Sequence, residues 1–224
     1  VQEAGVSMSS AFGSFNTQKH TLKFSTGPLT DGFSLTGRLS KINSDGYIDR
    51  ASSDLAAYYL EAGYQDQKTK LKVLAFGGQE ETYQSWYGID QATLATDRTY
   101  NPAGIQFDES GNFEGFYDSQ IDRYNQDHIQ LLWSQDLANH WTSQISMNYT
   151  HGRGYYQEYV DQWYSENVLF SDDANLALYG LSPVVLEGQV INSSDLVRRR
   201  WLNNNFYATN GHVTYADKTI AWTS

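Results

Sequence analysis

The sequence contains no cysteine and only three prolines, whereas it has 18 glycines, 17 tyrosines and six tryptophans. The absence of cysteine excludes a disulfide framework and any thiolate metal site. No run of about 18 apolar residues occurs, which excludes a membrane-spanning helix. Basic residues are few, and the formal net charge of -11 argues against binding to nucleic acid and against electrostatic attraction to anionic lipid. Aromatic residues make up 15% of the chain, a content that suits strands and membrane-interface belts.

Short polar turns alternate with long loops along the chain. The short turns are predicted at Gly27–Gly32, Asp66–Thr69, Asp136–His140 and Ala216–Lys218. The long segments, rich in tyrosine and glycine, are predicted at Asn43–Asp54, Glu81–Arg123 and Gly152–Arg199. An up-and-down antiparallel sheet has this pattern when its two ends face different surroundings. Outer-membrane β-barrels are built in this way, with short periplasmic turns and long extracellular loops.

The strands are predicted from alternating polarity. Phe33–Ser40 and Trp141–Thr150 each have non-polar residues on one face and polar residues on the other, whereas Lys70–Gly78 is apolar on both faces over part of its length, which leaves its phase open. The other predicted strands are Gly5–Phe12, His20–Ser25, Leu55–Gln65, Tyr124–Gln135, Asn205–Tyr215 and Thr219–Ser224. Alternation fits both a soluble β-sandwich and a membrane barrel, and the loop pattern favours the barrel.

The number of strands indicates a part of a larger barrel. Nine strands are predicted, of roughly 9–11 residues each except for a shorter last strand. A tilted strand of this length crosses a bilayer. Bacterial single-chain barrels have even strand numbers, and an open sheet edge is not viable in lipid. Residues 1–224 are therefore predicted to be an all-β, antiparallel, up-and-down transmembrane β-barrel segment, one partial barrel domain without the remaining strands.

Several segments resemble TonB-dependent outer-membrane receptors of the iron-complex branch. Phe12–Thr17 is similar to the first barrel hairpin that follows the plug domain in that family. Further similar segments, in the order in which the family has them, are Ser44–Asp54, Phe76–Tyr83, Arg98–Pro102 and Asp195–Leu202. The resemblance runs through essentially the whole chain. It implies a 22-stranded barrel that is filled by an N-terminal plug and driven by TonB, of which this sequence would be the first third or so, without the plug or the TonB motif.

This resemblance implies a receptor in the bacterial outer membrane that imports a bulky, scarce solute. A ferric siderophore is the first candidate, ahead of haem, cobalamin and an oligosaccharide. The implied partners are that small-molecule ligand, the TonB energy-transducing complex, which acts through the plug region, and outer-membrane lipid. No nucleophile elbow, phosphate-cradling loop or paired-carboxylate motif stands out, and five histidines are scattered along the chain. We therefore expect no enzymatic activity, no catalytic residue, no cofactor and no metal site.

Aromatic residues concentrate in the second and third long loops and are the first candidates for ligand contact. They are Tyr83, Trp86, Tyr87, Tyr100, Tyr155, Tyr156 and Trp163. Aromatic rings with a polar tip offer a large contact area at a low entropic cost, which suits capture of a bulky, partly apolar solute. The alternative is that these rings pack the long loops against one another.

Three arginines complete the candidate contacts. They are Arg153, Arg198 and Arg200. Adjacent positions in a strand alternate faces, so that Arg198 and Arg200 share one side and Arg199 lies on the other. A guanidinium that faces the lumen can bind carboxylate or catecholate oxygens of an anionic ligand. The alternative is an ion pair with lipopolysaccharide phosphates at the rim or with a loop carboxylate such as Asp172, Asp173 or Asp195.

Two other architectures remain open at this point. One is a small self-contained barrel of about eight strands that acts as an anchor or adhesion protein. The other is a soluble, secreted β-sandwich that binds glycans through its aromatic loops. The odd strand count disfavours the first, and the regular alternation of short and long connections disfavours the second.

Overall fold

The computed structural model describes residues 3–137, 140–216 and 221–223. The strands in chain order are β1 (Gly5–Gly13), β2 (Thr17–Ser25), β3 (Phe33–Ser44), β4 (Ser53–Gln65), β5 (Thr69–Tyr83), β6 (Ile105–Phe107), β7 (Phe113–Phe116), β8 (Ile121–Asp136), β9 (Trp141–Val160), β10 (Val184–Leu186), β11 (Gln189–Ile191), β12 (Leu196–Ala216) and β13 (Ala221–Thr223). The helices are α1 (Gln91–Thr96), α2 (Gln162–Asn167) and a 3₁₀ turn (Leu176–Tyr179).

One antiparallel sheet contains most of the chain. Its spatial order is β1-β2-β3-β4-β5-β8-β9-β12-β13, and each strand pairs with the sheet strand that precedes it along the chain. The pairs β6–β7 and β10–β11 form separate two-stranded sheets inside the long loops. The predicted all-β, antiparallel, up-and-down architecture is thereby confirmed.

The two faces of this sheet differ in chemistry, because residues directly opposite each other in an antiparallel pair lie on the same face. Leu71 is opposite both Tyr64 and Trp133, and Trp133 is opposite Ile145, so that a continuous apolar face crosses neighbouring strands. The other face, which we call the polar face, carries the opposed pair Gln130 and Asn148, with Nε2 and Oδ1 3.0 Å apart. The pairing of Leu71 with Tyr64 and Trp133 places Leu71 of β5 on the apolar face, which settles the phase that the sequence left open for this strand.

The apolar face is covered by no second sheet within the described residues, and many of its side chains are exposed. Examples are Leu39 at 53%, Ile129 at 54% and Met147 at 47% exposure. A β-sandwich buries such a face against a partner sheet. The sandwich alternative therefore does not describe the observed sheet.

The strands β9 and β12 are much longer than predicted, with 20 and 21 residues. The expected strand ended at Thr150, but pairing with β12 continues to Val160, so that the loop spans only residues 161–195. Two glycines near the predicted end suggested a loop. In the structure a Cβ at Gly152 would lie 2.0 Å from the hydroxyl of Tyr124, so the glycine makes room for a ring that crosses the strand. Glycine in a strand interior often has this role, and a neighbouring aromatic covers it.

Smaller corrections concern other element ends. The connection between the predicted strands Gly5–Phe12 and His20–Ser25 is a turn of only three residues, in which Phe15 and Asn16 adopt positive φ. Strand β5 continues to Tyr83 rather than ending at Gly78. Of the predicted last strand, Thr219–Ser224, the structure describes only β13 (Ala221–Thr223). Parts of the predicted turns Asp136–His140 and Ala216–Lys218 also lie outside the described residues.

The long loops meet at one end of the sheet and contain the small buried core. The buried apolar residues are Tyr83, Ala103, Val160, Ala174 and Leu176, all in or next to residues 84–120 and 161–195. We call these two segments the second and third long loops; the first comprises residues 45–52. Within the residues that the structure describes, no helix is long and apolar enough to cross a bilayer. Tertiary packing away from the sheet is therefore concentrated where the loops contact one another.

Candidate functional site

Buried amides fasten the second long loop to the strand ends. Gln84 is 1% exposed, and its Nε2 donates to the carbonyl oxygens of Ile121 (3.1 Å) and Gln157 (2.9 Å). Asn101 is equally buried, and its Nδ2 donates to the carbonyl oxygens of Gln84 (2.9 Å) and Asp49 (3.0 Å). Buried polar groups that are paired in this way hold the loop backbone in one arrangement. These bonds therefore hold the second long loop in one defined conformation against the strand ends.

Arg50 extends this connection to the first long loop. Its guanidinium carbon lies 3.4 Å from the ring centroid of Phe116, and its Nη2 donates to the carbonyl oxygen of Asn101. Its Nε donates to the hydroxyl of Tyr83 at 3.3 Å. A cation above an aromatic face is favourable, and more so when it is shielded from water. Arg50 thus joins the first and second long loops.

Tyr83 lies under the second loop and not on an accessible surface. It is 7% exposed, and its hydroxyl is 2.9 Å from the carbonyl oxygens of both Ala103 and Tyr117. Burial raises the pKa of this phenol. The contacts of Tyr83 are those of a loop-fixing residue.

An inter-loop aromatic cluster connects the second and third long loops. It consists of Phe107, Phe113, Phe116, Trp163 and Tyr164. The ring centroid of Phe107 lies 5.0 Å from that of Trp163 and 5.6 Å from that of Tyr164. Aromatic pairs at these distances contribute beyond their buried area. Trp163 therefore packs the two loops together, as the alternative interpretation of the loop aromatics expected.

Asp161 makes the polar connection at the same place. Its Oδ1 accepts from the backbone N–H of Tyr164 (2.7 Å), which caps the short helix α2, and its Oδ2 accepts from the N–H of Phe107 (2.6 Å). Only 4% of this residue is exposed. One carboxylate thus binds the backbones of two loops.

A pocket of about 270 Å³ lies between the two loops, above the end of the sheet. Its lining includes Tyr87, Glu158, Tyr159, Tyr164, Asp173 and Arg198. A cavity of this size, with aromatic walls and a few convergent polar groups, has the character of a small-molecule site. Its volume is too small to accommodate the whole of a bulky solute.

Arg198 is already paired inside this pocket. Its Nε lies 2.7 Å from a carboxylate oxygen of Glu158, and its Nη1 lies 3.1 Å from the hydroxyl of Tyr179 and 3.6 Å from the carboxylate of Asp173. The side chains of Arg198 and Glu158 are only 14% and 10% exposed. Burial alone lowers the pKa of Arg198, but the hydrogen bonds to Glu158 and Tyr179 outweigh it, so that this pKa is raised. The guanidinium is permanently charged and its charge is compensated.

Three aromatic candidates border the pocket or the polar face beside it. Tyr87 is 44% exposed, and its hydroxyl donates to Glu158 at 3.3 Å; burial, followed by the charge of Glu158, raises the pKa of this phenol. Trp86 is 56% exposed and meets Tyr156 edge-on at a centroid distance of 6.1 Å. The hydroxyl of Tyr156 accepts from Nη1 of Arg200 at 3.2 Å. Of these side chains only Tyr87 lines the pocket, and Arg200 lies beside it, with Nη2 3.9 Å from the carboxylate of Glu158.

The candidate residues therefore do not form one site. The structure brings Trp86, Tyr87, Tyr156, Arg198 and Arg200 to the pocket and its border. Tyr83, Tyr100 and Trp163 are buried or half-buried within the loops, and burial raises the pKa of Tyr100. Arg153 and Tyr155 lie on the opposite, apolar side of the sheet, next to Trp201.

Two functional candidates were missed by sequence reasoning. Glu158 and Asp161 sit inside the segment that alternation assigned to an open loop, where an acidic residue normally has a solvated surface position. Among the residues in the three described ranges, no group of three or more His, Asp or Glu side chains can hold a metal ion. The pocket lining presents aromatic rings, carboxylates and the guanidinium of Arg198 for hydrogen bonding and charge interactions.

Comparison with known proteins gives a likeness of fold. No protein-family model matches the sequence, and no curated protein sequence matches it. The ferric-catecholate import receptor Fiu from E. coli K12 in its open form has a TM-score of 0.61 and 12% identity, over 98% of this chain and 32% of that one. Its closed form has a TM-score of 0.59 and 12% identity, over 97% of this chain and 29% of that one. The sheet has the fold of a β-barrel segment, and the chain spans about a third of the length of the receptors it matches.

Proposed function

We propose that this chain is part of the barrel domain of a TonB-dependent outer-membrane receptor that imports a bulky, scarce solute, a ferric siderophore. The observation that carries the proposal is the pocket between the second and third long loops, at the end of a barrel-like sheet opposite its short turns. The likeness of fold to a ferric-catecholate receptor supports the same class of activity, transport rather than catalysis.

The location that we propose is the outer membrane, with the apolar face toward lipid and the polar face toward the barrel lumen. A tilted strand needs about 9–11 residues to cross a bilayer. The strands β9 and β12 are about twice that length, so their loop-side halves stand above the hydrocarbon. The pocket is then extracellular. The rest of a 22-stranded barrel, the plug and the TonB contact belong to parts of the receptor outside residues 1–224.

The proposed uptake has three stages, and residues of this chain act in the first two. Accessible rings such as Tyr87 and Trp86 contact the solute, while the buried amides and the inter-loop cluster keep the walls fixed. The polar face below then provides hydrogen-bonding groups along the lumen, such as His128, whose Nδ1 is 2.8 Å from the hydroxyl of Thr150. In the third stage, the plug opens the passage with energy that TonB transmits.

The charge of the pocket narrows the solute class. Its lining includes three carboxylates, Glu158, Asp161 and Asp173, and one guanidinium, that of Arg198. Like charges about 7 Å apart repel by about 2 kcal/mol at an effective dielectric constant of about 20. We therefore infer that a neutral or cationic ferric complex enters this pocket more readily than a strongly anionic one.

We expect the neutral iron(III) tris-hydroxamate complex to bind the full-length receptor at least tenfold more tightly than the anionic iron(III) tris-catecholate complex. The measurement is quenching of tryptophan fluorescence in detergent-purified receptor, repeated at two salt concentrations, because screening reduces the repulsion. Tighter binding of the tris-catecholate complex would contradict the inferred preference for neutral solutes. Failure of both iron complexes to bind would overturn the proposed function.

Tyr87→Ala is expected to weaken binding of the preferred iron complex at least fivefold, because it removes an exposed ring at the pocket. The matched control is Tyr47→Ala in the first long loop, which removes a tyrosine of similar exposure (52%, against 44% for Tyr87) that is not among the pocket residues. Affinity that is unchanged in Tyr87→Ala, or reduced equally in both variants, would show that this pocket does not contact the solute.

A further inference from the structure

A recess of about 530 Å³ lies on the polar face of the sheet, between Phe76 of β5 and Phe206 of β12. We call it the polar-face recess. It crosses β8 and β9, because Phe76 is directly opposite His128, His128 is opposite Thr150, and Thr150 is opposite Phe206. His128 lies near the middle of β8, and the recess has no lining residue in common with the pocket between the long loops. The two cavities are therefore separate sites.

The lining of the polar-face recess contains no lysine, arginine, aspartate or glutamate. Charged side chains do occur on the same face nearer the strand ends. On the turn side Nζ of Lys72 lies 2.8 Å from the carboxylate of Glu61, and on the loop side Nη2 of Arg200 lies 3.9 Å from that of Glu158. An ion that gives up water in the recess would find no opposite charge there to compensate the loss. The recess therefore suits a neutral ligand.

The hydrogen-bonding groups of the recess are mainly carboxamides, those of Gln126, Gln130, Asn148 and Asn204. Each carboxamide presents one acceptor oxygen and two N–H donors. An alcohol hydroxyl likewise donates one hydrogen bond and accepts others, so that it can pair with a carboxamide in either direction. A ligand rich in hydroxyl groups therefore matches this lining.

Five side chains of the recess are joined in one chain of hydrogen bonds, which fixes their orientations. Nε2 of Gln130 donates to Oδ1 of Asn148 (3.0 Å), and Nδ2 of Asn148 donates to the hydroxyl oxygen of Thr150 (3.2 Å). His128 contacts this hydroxyl through Nδ1 (2.8 Å) and Nε2 of Gln126 through its own Nε2 (3.0 Å). Because an amide nitrogen only donates, Nε2 of His128 accepts and its Nδ1 carries the hydrogen. The hydroxyl of Thr150 thus accepts twice, and its own hydrogen is free to bind a ligand.

Two more polar groups of the recess are open to a ligand. Across residues 3–137, 140–216 and 221–223, the side chains of Tyr124 and Asn204 have no hydrogen-bond partner. A Cβ at Gly152 would lie 2.0 Å from the hydroxyl of Tyr124 and 3.6 Å from Nδ2 of Asn204, so the glycine leaves room for both groups above the strand. They provide further donors and acceptors beside the chain that ends at Gln126.

Aromatic rings border this polar lining on two sides. Phe76 stacks on His128 with a centroid distance of 4.6 Å and an interplanar angle of 13°, which holds its ring in place. Phe206 is 59% exposed, although it lies on the polar face. A sugar ring has an apolar C–H face, which can pack on an aromatic ring, while its hydroxyl groups project from the edge toward polar partners. Rings beside carboxamides therefore match both parts of a sugar.

We propose that the polar-face recess binds a hexose unit of a neutral oligosaccharide. Phe206 supplies the surface on which the sugar ring packs, and the carboxamides together with the hydroxyl of Thr150 bind its hydroxyl groups. The volume of about 530 Å³ is within the range of about 300–1,000 Å³ that is usual for small-molecule sites. This site is distinct from the pocket between the long loops, and the inference does not depend on binding of an iron complex there.

The test is isothermal titration calorimetry of the full-length receptor with maltohexaose, a neutral glucose oligomer, in a detergent without a sugar head group. Phe206→Ala is expected to weaken binding at least fivefold, because it removes the exposed ring. The matched control is Tyr207→Ala, which removes an even more exposed ring (72%) from the next residue, on the opposite face, and is expected to leave the affinity unchanged. Thr150→Val keeps the shape of a strand residue but removes the free hydroxyl, and it is expected to weaken binding at least threefold.

A second ligand tests the argument from charge. A hexamer of galacturonic acid has a similar length but carries carboxylates, and it is expected to bind at least tenfold more weakly than maltohexaose. Equal or tighter binding of the acidic hexamer would contradict the inference. Failure of maltohexaose to bind the unmodified receptor, or an equal loss in Phe206→Ala and Tyr207→Ala, would overturn it. Iron-complex binding is expected to stay unchanged in Phe206→Ala, which separates a failure of this inference from a failure of the proposed function.

Discussion

Replacing Arg198 by methionine is expected to destabilise the closed arrangement of the third long loop by about 3–5 kcal/mol, because it leaves a buried carboxylate without its partner. Glu158 is only 10% exposed at its side chain, and Arg198 is its closest positive charge, at 2.7 Å. The same change removes the contacts of Arg198 to Tyr179 and Asp173, which belong to that loop. Hydrogen exchange of residues 161–195 in the full-length receptor measures this effect directly.

Two further variants determine whether the effect has this cause. Adding Glu158→Gln to Arg198→Met removes the unpaired charge, and we expect it to recover a large part of the lost protection. Arg200→Met is the matched control, since Arg200 is 49% exposed and its Nη2 is 3.9 Å from Glu158, a distance at which a surface pair contributes less than about 1 kcal/mol. Equal loss of protection in Arg198→Met and Arg200→Met would exclude the buried pair as the stabilising contact.

Much of the sheet could be predicted from the sequence because its two faces differ in polarity. Alternation in Trp141–Thr150 and Phe33–Ser40 is unambiguous, and both segments are strands in the predicted phase. The strand ends beyond the apolar band were not predictable in the same way. There polar and aromatic residues occur on both faces, so polarity no longer alternates, and only pairing with a neighbouring strand maintains the extended backbone. This is why β9 and β12 were predicted about ten residues too short.

The candidate site was less predictable because it depends on contacts between distant segments. Glu158 and Arg198 are far apart in sequence and become directly opposite only through the register of β9 with β12. The same register assigns Arg153 to the other face of the sheet, whereas composition groups it with the loop arginines. Sequence alone grouped the aromatic candidates together, although Tyr155 and Tyr156 lie in β9 and not in a loop. It could not separate Tyr87, which is accessible, from Tyr83, which is buried, because that difference arises when the loops fold over one another.

Asp161→Ala is expected to release the second and third long loops from each other at a cost of about 2–4 kcal/mol. The substitution leaves the backbone N–H groups of Phe107 and Tyr164 without an acceptor in a site that is nearly closed to water. Each unsatisfied buried donor costs about 1–3 kcal/mol, and loss of a helix N-cap costs about 1 kcal/mol. The expected result is faster hydrogen exchange at the amides of Phe107 and α2, together with weaker binding of the iron complex, since the pocket walls separate.

The control for this prediction is Asp90→Ala, which removes a chemically equivalent cap. Asp90 accepts from the N–H groups of Ala92 and Thr93 at the start of α1, but it is exposed and bonds only within its own loop. Its loss is expected to cost about 1 kcal/mol and to leave Phe107 protected. Asp161→Asn retains one acceptor oxygen and is expected to lie between the two. Protection of Phe107 that is equal in Asp161→Ala and in the unmodified receptor would mean that the aromatic cluster alone holds the loops together, and that the carboxylate only caps its helix.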